Sequence, residues 1–258
     1  MLDKLGSVDG RRCLVTGAGR GIGAAIARRL SAAGHRVALT ARSADELNTL
    51  AKELPGPALV LPADATEPDA IERVFAEVER EWGPVEVLVL NAGAGTSAPL
   101  ASTTDQDWQR MLDLNLTAPF RMMRRAVPGM VEARWGRVIA IASVAAKRGE
   151  PYIAAYTASK HGLLGLVRSA ARELATTGVT VNAVCPAYVD TPLTDHTISV
   201  ISATTGRTPQ QAREALERRQ PIGRLITVDE VADAVMLCVA SPAITGQGIN
   251  VDGGAVQS

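Results

Sequence analysis

Short unbroken apolar runs alternate along the chain with longer stretches in which apolar residues recur every three or four positions. The runs RCLVTG, RVALTA, ALVLPAD, VEVLVLNAG, GRVIAIAS and VTVNAVCP are dense in Val, Ile, Leu and Ala, and GINVDGG forms a last short one. Apolar runs of this length, without polar alternation, predict strands buried on both faces of a sheet. GIGAAIARRLSAAG predicts a helix closed by Gly34, and SADELNTLAKEL one capped by Ser43 or Asp45. EPDAIERVFAEVEREWG puts Ile71, Phe75 and Val78 on one helical face. Longer helices are expected over about 105–133 and 154–175, and VDEVADAVMLCVA predicts the last one. The stretch over about 188–225 reads as irregular, with one short helical piece at TPQQAREALERR.

Strand and helix alternating this regularly predict an α/β fold, a parallel sheet with helices on both faces and right-handed crossovers. No linker or internal repeat interrupts the pattern, so one doubly wound domain over 1–258 is expected, with a lid over about 190–225. Ligands on such sheets bind outside the carboxyl ends of the strands, so function is to be read at the strand ends.

Composition removes several function classes. Lys plus Arg equals Asp plus Glu, 27 each, which leaves no basic field for nucleic acid or an anionic membrane. Cys13, Cys185 and Cys238 are odd in number and far apart, with neither metal-ligand spacing nor a disulfide framework. They read as reduced thiols of a cytoplasmic protein, and no metal site is expected. The segment MLDKLGSVDGRR lacks the apolar core of a signal peptide. No apolar run approaches the roughly 20 residues of a membrane span.

At the first strand end, TGAGRGIG places glycines at 17, 19, 21 and 23 before a helix. Glycines there permit a tight turn and close approach of backbone to a pyrophosphate, which the helix N-terminus then attracts. The spacing differs from the usual GxGxxG. At the second strand end an acid would accept the ribose hydroxyls of NAD. VALTARS has Ala41 and then Arg42, whose guanidinium suits a 2′-phosphate, and Arg20 in the glycine loop offers a second positive charge. NADP(H) is therefore favoured over NAD(H). In AYTASKHG, Tyr156 and Lys160 stand four apart and share a helical face.

TGxxxGIG, the NAG of Asn91, Ala92 and Gly93, Asn115 within MLDLNLTAPF, Ser143, YTASK and CPAYVDT jointly resemble the short-chain dehydrogenase/reductase family in its compact form, along essentially the whole chain. The resemblance implies a seven-stranded Rossmann sheet and hydride transfer between a nicotinamide and a carbonyl or alcohol. It implies catalytic roles for Asn115, Ser143, Tyr156 and Lys160. Tyr156 is the acid or base, its phenol lowered from about 10 by the Lys160 ammonium and an oxidised nicotinamide. Ser143 polarises the carbonyl oxygen. Asn115 distorts its helix, and its backbone carbonyl holds a water near Lys160. Cofactor contacts are implied for Gly17, Arg20, Gly21, Ile22, Gly23, Arg42, Asp64, Ala65, Asn91, Ala92, Gly93, Pro186, Val189 and Thr191, with Tyr156 and Lys160 at the nicotinamide ribose. Asp64 reads equally as the cap of a turn. Ala187 stands where the family has glycine.

CPAYVDTPL and RRQPIGRLITVDEVADAV resemble the branch of 3-oxoacyl reductases and 3-hydroxybutyrate dehydrogenases. Gly95, Ala145 and Ile153 stand where dehydrogenases of the free hydroxy acid hold a carboxylate, and none can pair with one. With Val144, Tyr152, Tyr188 and Leu193 they make an apolar pocket, suited to a 3-oxoacyl thioester on CoA or a carrier protein. Arg207, Arg213, Arg218 and Arg219 read as the solvated face of a charged helix or as contacts for a carrier phosphate. A dehydrogenase of a bulky cyclic or aromatic secondary alcohol is the alternative enzyme, and a non-catalytic dinucleotide-binding sensor or scaffold is the alternative of another class. The resemblance also implies a homotetramer, built through the helices at 105–133 and 154–175 and through the segment GINVDGGAVQS.

Overall fold

The structure is a computed structural model that describes residues 10–257. Each apolar run becomes a strand: β1 (Arg12–Thr16), β2 (Arg36–Thr40), β3 (Ala58–Val60), β4 (Val87–Leu90), β5 (Gly136–Ile141), β6 (Val179–Pro186) and β7 (Gly248–Val251). They form one parallel sheet in the order β3-β2-β1-β4-β5-β6-β7. The strand order reverses between β1 and β4, which opens a crevice at their carboxyl ends.

Strand pleating divides the core in two. Leu14, Leu88, Leu90, Val138 and Ala140 point to one side, under α3 (Pro68–Trp82), α5 (Ala118–Glu132) and α6 (Ala154–Leu174). Cys13, Val15, Val87, Val89 and Ile139 point to the other, under α1 (Gly21–Ala32), α2 (Ala44–Glu53) and α9 (Val228–Ala240). The expected face of α3 is the buried one, with Ile71, Phe75 and Val78 inside. Of the two cap candidates for α2 it is Ser43 that accepts the Glu46 N–H. All three cysteines are free and buried. No helix among the described residues is long and apolar enough to cross a membrane. The segment read for a signal peptide lies, up to residue 9, outside the described residues.

The distortion expected at Asn115 is present, and the stretch read as irregular is corrected. The helical path over 105–133 is interrupted: α4 (Asp105–Leu112) passes through a π-helical turn, Asp113–Thr117, before α5 begins. Asn115 sits in that turn, fully buried. The α-helical partner of its carbonyl would be the N–H of residue 119, which is proline. The stretch read as irregular folds mostly into two helices, α7 (Pro192–Thr205) and α8 (Pro209–Glu217). α7 hides its period because it is rich in Thr, Ile, Val and Ser, poor helix formers, and buries only Thr194 and Ile198. A proline at its start and the left-handed Gly206 at its end mark its limits instead. Ile198, Ala212, Leu216 and Leu225 close a small separate core between the two helices, with Tyr188 packed on it.

Phe75 fills the space between α3 and the sheet at 1% exposure. Phe75→Ala should therefore lower unfolding free energy by about 3–5 kcal/mol, read from the urea midpoint.

Candidate active site

The glycine loop is shaped by contact with the end of β4. Gly17 is left-handed at φ 61°, and a Cβ there would stand 2.9 Å from the Ala92 Cα. A Cβ on Gly23 would stand 2.3 Å from the Gly17 carbonyl oxygen and 2.5 Å from Asn91 Nδ2. Only glycine fits at either place. Thr16 and Asn91 lock the approach. Thr16 Oγ1 accepts from the backbone N–H groups of Asn91 and Ala92, at 3.0 and 2.9 Å. Asn91 Nδ2 donates to the carbonyls of Thr16 and Gly17, at 2.9 and 3.0 Å. α1 then starts at Gly21 with no side-chain cap and no acid in its first turn, so its N–H groups face the crevice uncompensated. Ile22 packs on the core beneath. Thr191, after β6, reaches the same place: its Cγ2 lies 3.4 Å from where a Gly21 Cβ would be. A cradle kept clear of side chains at an uncapped helix start fits the pyrophosphate of a dinucleotide.

Around the adenosine end, Arg42 is exposed and Ala65 half-buried. Arg20 Nη1 lies 3.3 Å from Glu46 Oε1. Asp64 caps a turn, accepting the Thr66 N–H at 2.8 Å and its hydroxyl at 2.7 Å. Those two bonds, with the Arg42 charge behind them, hold the Asp64 carboxyl below the usual carboxylate range.

The catalytic candidates converge at the end of β5. Ser143 follows the strand, and Tyr156 and Lys160 stand one turn apart on α6. The Lys160 ammonium is 5.7 Å from the Tyr156 ring centroid and donates to the Ile141 carbonyl at 2.8 Å. The π-helical turn aims Asn115 into this cluster. Its amide takes the Ala94 N–H at 3.2 Å and donates to the Ala94 carbonyl at 3.0 Å and to Ser159 Oγ at 3.2 Å. Ser159 in turn donates to the Tyr156 carbonyl at 2.7 Å. A Cβ on Gly93 would stand 2.9 Å from Asn115 Oδ1 and 3.6 Å from Lys160 Nζ.

Burial pushes the Tyr156 phenol above its ordinary value; a hydrogen bond with Ser143 opposes the shift, and Cys185 and Tyr188 add to it. Burial also pushes the Lys160 ammonium down to about 8, with Cys185 opposing. Lys160 directs one of its three N–H groups to the Ile141 carbonyl. The phenol here stands above its ordinary value; the acidification expected from Lys160 together with an oxidised nicotinamide concerns the loaded site.

The residues assigned to substrate separate into inner and outer groups. Val144 and Ala145 are buried in the turn after Ser143, and Ser143 Oγ accepts the Ala145 N–H at 3.1 Å. A Cβ on Gly95 would lie 3.9 Å from the Tyr156 ring. Ile153 and Tyr188 are half-buried, and the Tyr188 hydroxyl accepts from Arg219 at 3.1 Å. Leu193 and Tyr152 are 49% and 65% exposed and stand outside the buried group. Tyr152 is left-handed at φ 68°, and its carbonyl accepts the Ala98 N–H at 2.8 Å, pinning the loop after β4. Pro186 ends β6 and Val189 is buried. Ala187 takes the place of glycine without strain, since Arg134 and Tyr152 are the non-glycine left-handed residues described. Three of the four arginines on or near α8 are engaged: Arg213 with Asp190 and Glu217, Arg218 with Glu214, Arg219 with Glu150. Thr16 and Ser159, which brace the site, carry no signal beyond their places inside TGxxxGIG and YTASK.

Lys160 generates a pH prediction. Its folded pKa, about 8, lies below the unfolded value of 10.5. Below pH 8 both states hold the proton and the cost of burying the charge is complete. From pH 8 to 10.5 only the unfolded state holds it, so this cost is relieved as pH rises. Lys160→Met should raise the stability of the cofactor-free protein at pH 7 by up to about 3 kcal/mol, an excess that shrinks toward pH 10.5 in urea titrations.

The family described as Enoyl-(Acyl carrier protein) reductase matches residues 17–256. The chain is 41% identical to a 3-oxoacyl-[acyl-carrier-protein] reductase MabA of Mycobacterium avium, over 95% of this chain and 89% of that one. It is 37% identical to a D-beta-hydroxybutyrate dehydrogenase of Rhizobium meliloti (strain 1021), over 95% of this chain and 98% of the relative. Among solved structures, an actinorhodin polyketide ketoreductase variant with NADPH superposes with a TM-score of 0.91 at 38% identity, covering 95% of this chain and 97% of that one. With a glycine cradle at β1 and a Ser143, Tyr156 and Lys160 cluster at β5, the chain belongs to the short-chain dehydrogenase/reductase family.

Proposed function

We propose that the protein is an NADP(H)-dependent ketoreductase that reduces a 3-oxoacyl group carried as a thioester on CoA or a carrier protein. The observation that carries this reading is the convergence of Ser143, Tyr156 and Lys160 at the carboxyl end of β5, beside the glycine cradle after β1. Relatives named as 3-oxoacyl-[acyl-carrier-protein] reductase and a ketoreductase neighbour solved with NADPH support it. Arg42, with no acid at the end of β2, supports the phosphorylated cofactor.

The nicotinamide, when bound, supplies the hydride to the carbonyl carbon. Ser143 donates a hydrogen bond to the carbonyl oxygen and stabilises the charge that develops there. Tyr156 gives its proton to that oxygen, completing the alcohol. A buried phenol with a raised pKa holds its proton until the oxygen becomes basic enough to take it, which suits reduction. Lys160 holds the ribose, and its proton resupplies Tyr156. The Asn115 carbonyl, lacking the N–H of residue 119, accepts a water that links Lys160 to solvent. Gly17, Gly21, Ile22 and Gly23 hold the pyrophosphate, Asp64 and Ala65 the adenine, Asn91, Ala92 and Gly93 the adenosine side, and Pro186, Val189 and Thr191 the nicotinamide.

Val144, Ala145, Ile153, Tyr188 and Gly95 line the inner substrate pocket, and Gly95, Ala145 and Ile153 offer no charge to a free carboxylate. Leu193 and Tyr152 form its apolar rim, where an acyl chain or its carrier enters. The chain acts as one domain, with α7 and α8 as the lid. It works in the cytoplasm as a homotetramer.

A substrate panel read by NADPH absorbance should show turnover of acetoacetyl-CoA and longer 3-oxoacyl thioesters and none of free acetoacetate. Tyr156→Phe should lower kcat by about 10²–10⁴-fold while NADPH quenching of the protein's fluorescence persists. Undiminished turnover by that variant would overturn the mechanism.

A further inference from the structure

SADE, at the start of α2, has the spacing of a reciprocal cap, in which the acid three residues on turns back to the N–H of the capping residue. α8 and α9 complete that arrangement, with Gln211 and Glu230. α2 does not: Ser43 accepts the Glu46 N–H, but the Glu46 carboxylate reaches away to the glycine loop. There its Oε1 lies 3.3 Å from Arg20 Nη1. A Cβ on Gly19 would meet its Oε2 at 2.7 Å and its Cβ at 2.9 Å, so the side chain lies flat on the loop. The second cation of this region, Arg42, is exposed and adds only a weak electrostatic influence on Asp64. Of the two positive charges at the adenosine end, Arg20 is the one paired with an acid.

We propose that Glu46 is a specificity-determining residue: it sequesters Arg20 and so weakens recognition of the cofactor's 2′-phosphate. This rests on the NADP(H) reading given above. The Arg20 and Glu46 side chains are 67% and 38% exposed, so their pair is weak and a phosphate can displace it. Displacement leaves the carboxylate next to a dianion, an unfavourable contact that salt screens. A cofactor without the 2′-phosphate leaves the Arg20–Glu46 pair intact and meets no such penalty. Glu46 thus narrows the preference between the two cofactors that Arg20 and Arg42 would otherwise make wide.

The test is calorimetric binding of adenosine 2′,5′-bisphosphate and adenosine 5′-monophosphate to the full chain, wild type against Glu46→Gln, in low and high salt. The variant should bind the bisphosphate about three- to tenfold more tightly at low salt, less so at high salt, with the monophosphate unchanged. In Arg20→Gln/Glu46→Gln the gain should disappear, because no cation remains to be released. A gain shared equally by both ligands, no gain, or a gain that survives in the double variant overturns the proposal. The cofactor reading is tested separately by the wild type and Arg42→Gln. If each binds the two ligands equally well, the NADP(H) reading fails. The Glu46 comparison still stands in that case, since freeing Arg20 would create a preference that the wild type lacks. Matching thermal midpoints for wild type and Glu46→Gln exclude a folding effect.

Discussion

The site depends on how closely the turn after β1 can press against the end of β4. That distance is set by two missing side chains, at Gly17 and Gly23, and by the hydrogen bonds of Thr16 and Asn91 that fill the gap with polar contacts. Because the backbone comes this close, α1 begins at the crevice and not beside it, and its first turn faces whatever anion is held there. The loop leaving β4 is held from its other side, by Asn115 gripping both backbone groups of Ala94. The cofactor cradle and the catalytic cluster are therefore built on the two sides of one short segment, 91–95.

The same economy appears in the π-helical turn. A single extra residue in the helical path lets Asn115 point into the site while α4 and α5 continue on the same course. Ser159 then joins that amide to the backbone of Tyr156, so the helix carrying the acid and the helix carrying the turn are set by one chain of hydrogen bonds. Lys160 is fixed differently, by the carbonyl that ends β5. Its ammonium stabilises strand-end geometry first, and the phenol keeps its proton.

Much of this was legible in the residues. Unbroken apolar runs become strands because both faces of the sheet are covered, and Leu14 against Cys13 and Val15 shows the division. The motif residues at 17–23, 91–93, 143, 156 and 160 come together at one rim because strand order reverses there. What stayed hidden was whatever depends on a partner distant in sequence. Apart from its leading proline, PLTDHTISVISATT carries no helical period, because α7 gains its burial from α8. Spacing likewise places the Lys160 ammonium on the same face as Tyr156 but does not say that a main-chain oxygen takes one of its N–H groups. The same holds for Glu46, which sequence assigns to its own helix and tertiary packing assigns to the glycine loop.

The cysteines carry a last consequence. Cys185 lies under the catalytic cluster, where its thiol is coupled electrostatically to both Tyr156 and Lys160. Burial raises the pKa of all three thiols, Cys238 to about 11. Oxidants attack the thiolate, and these residues hold almost none at physiological pH. The sulfur beneath the cluster is thus an inert packing group, filling the space as a small apolar side chain would.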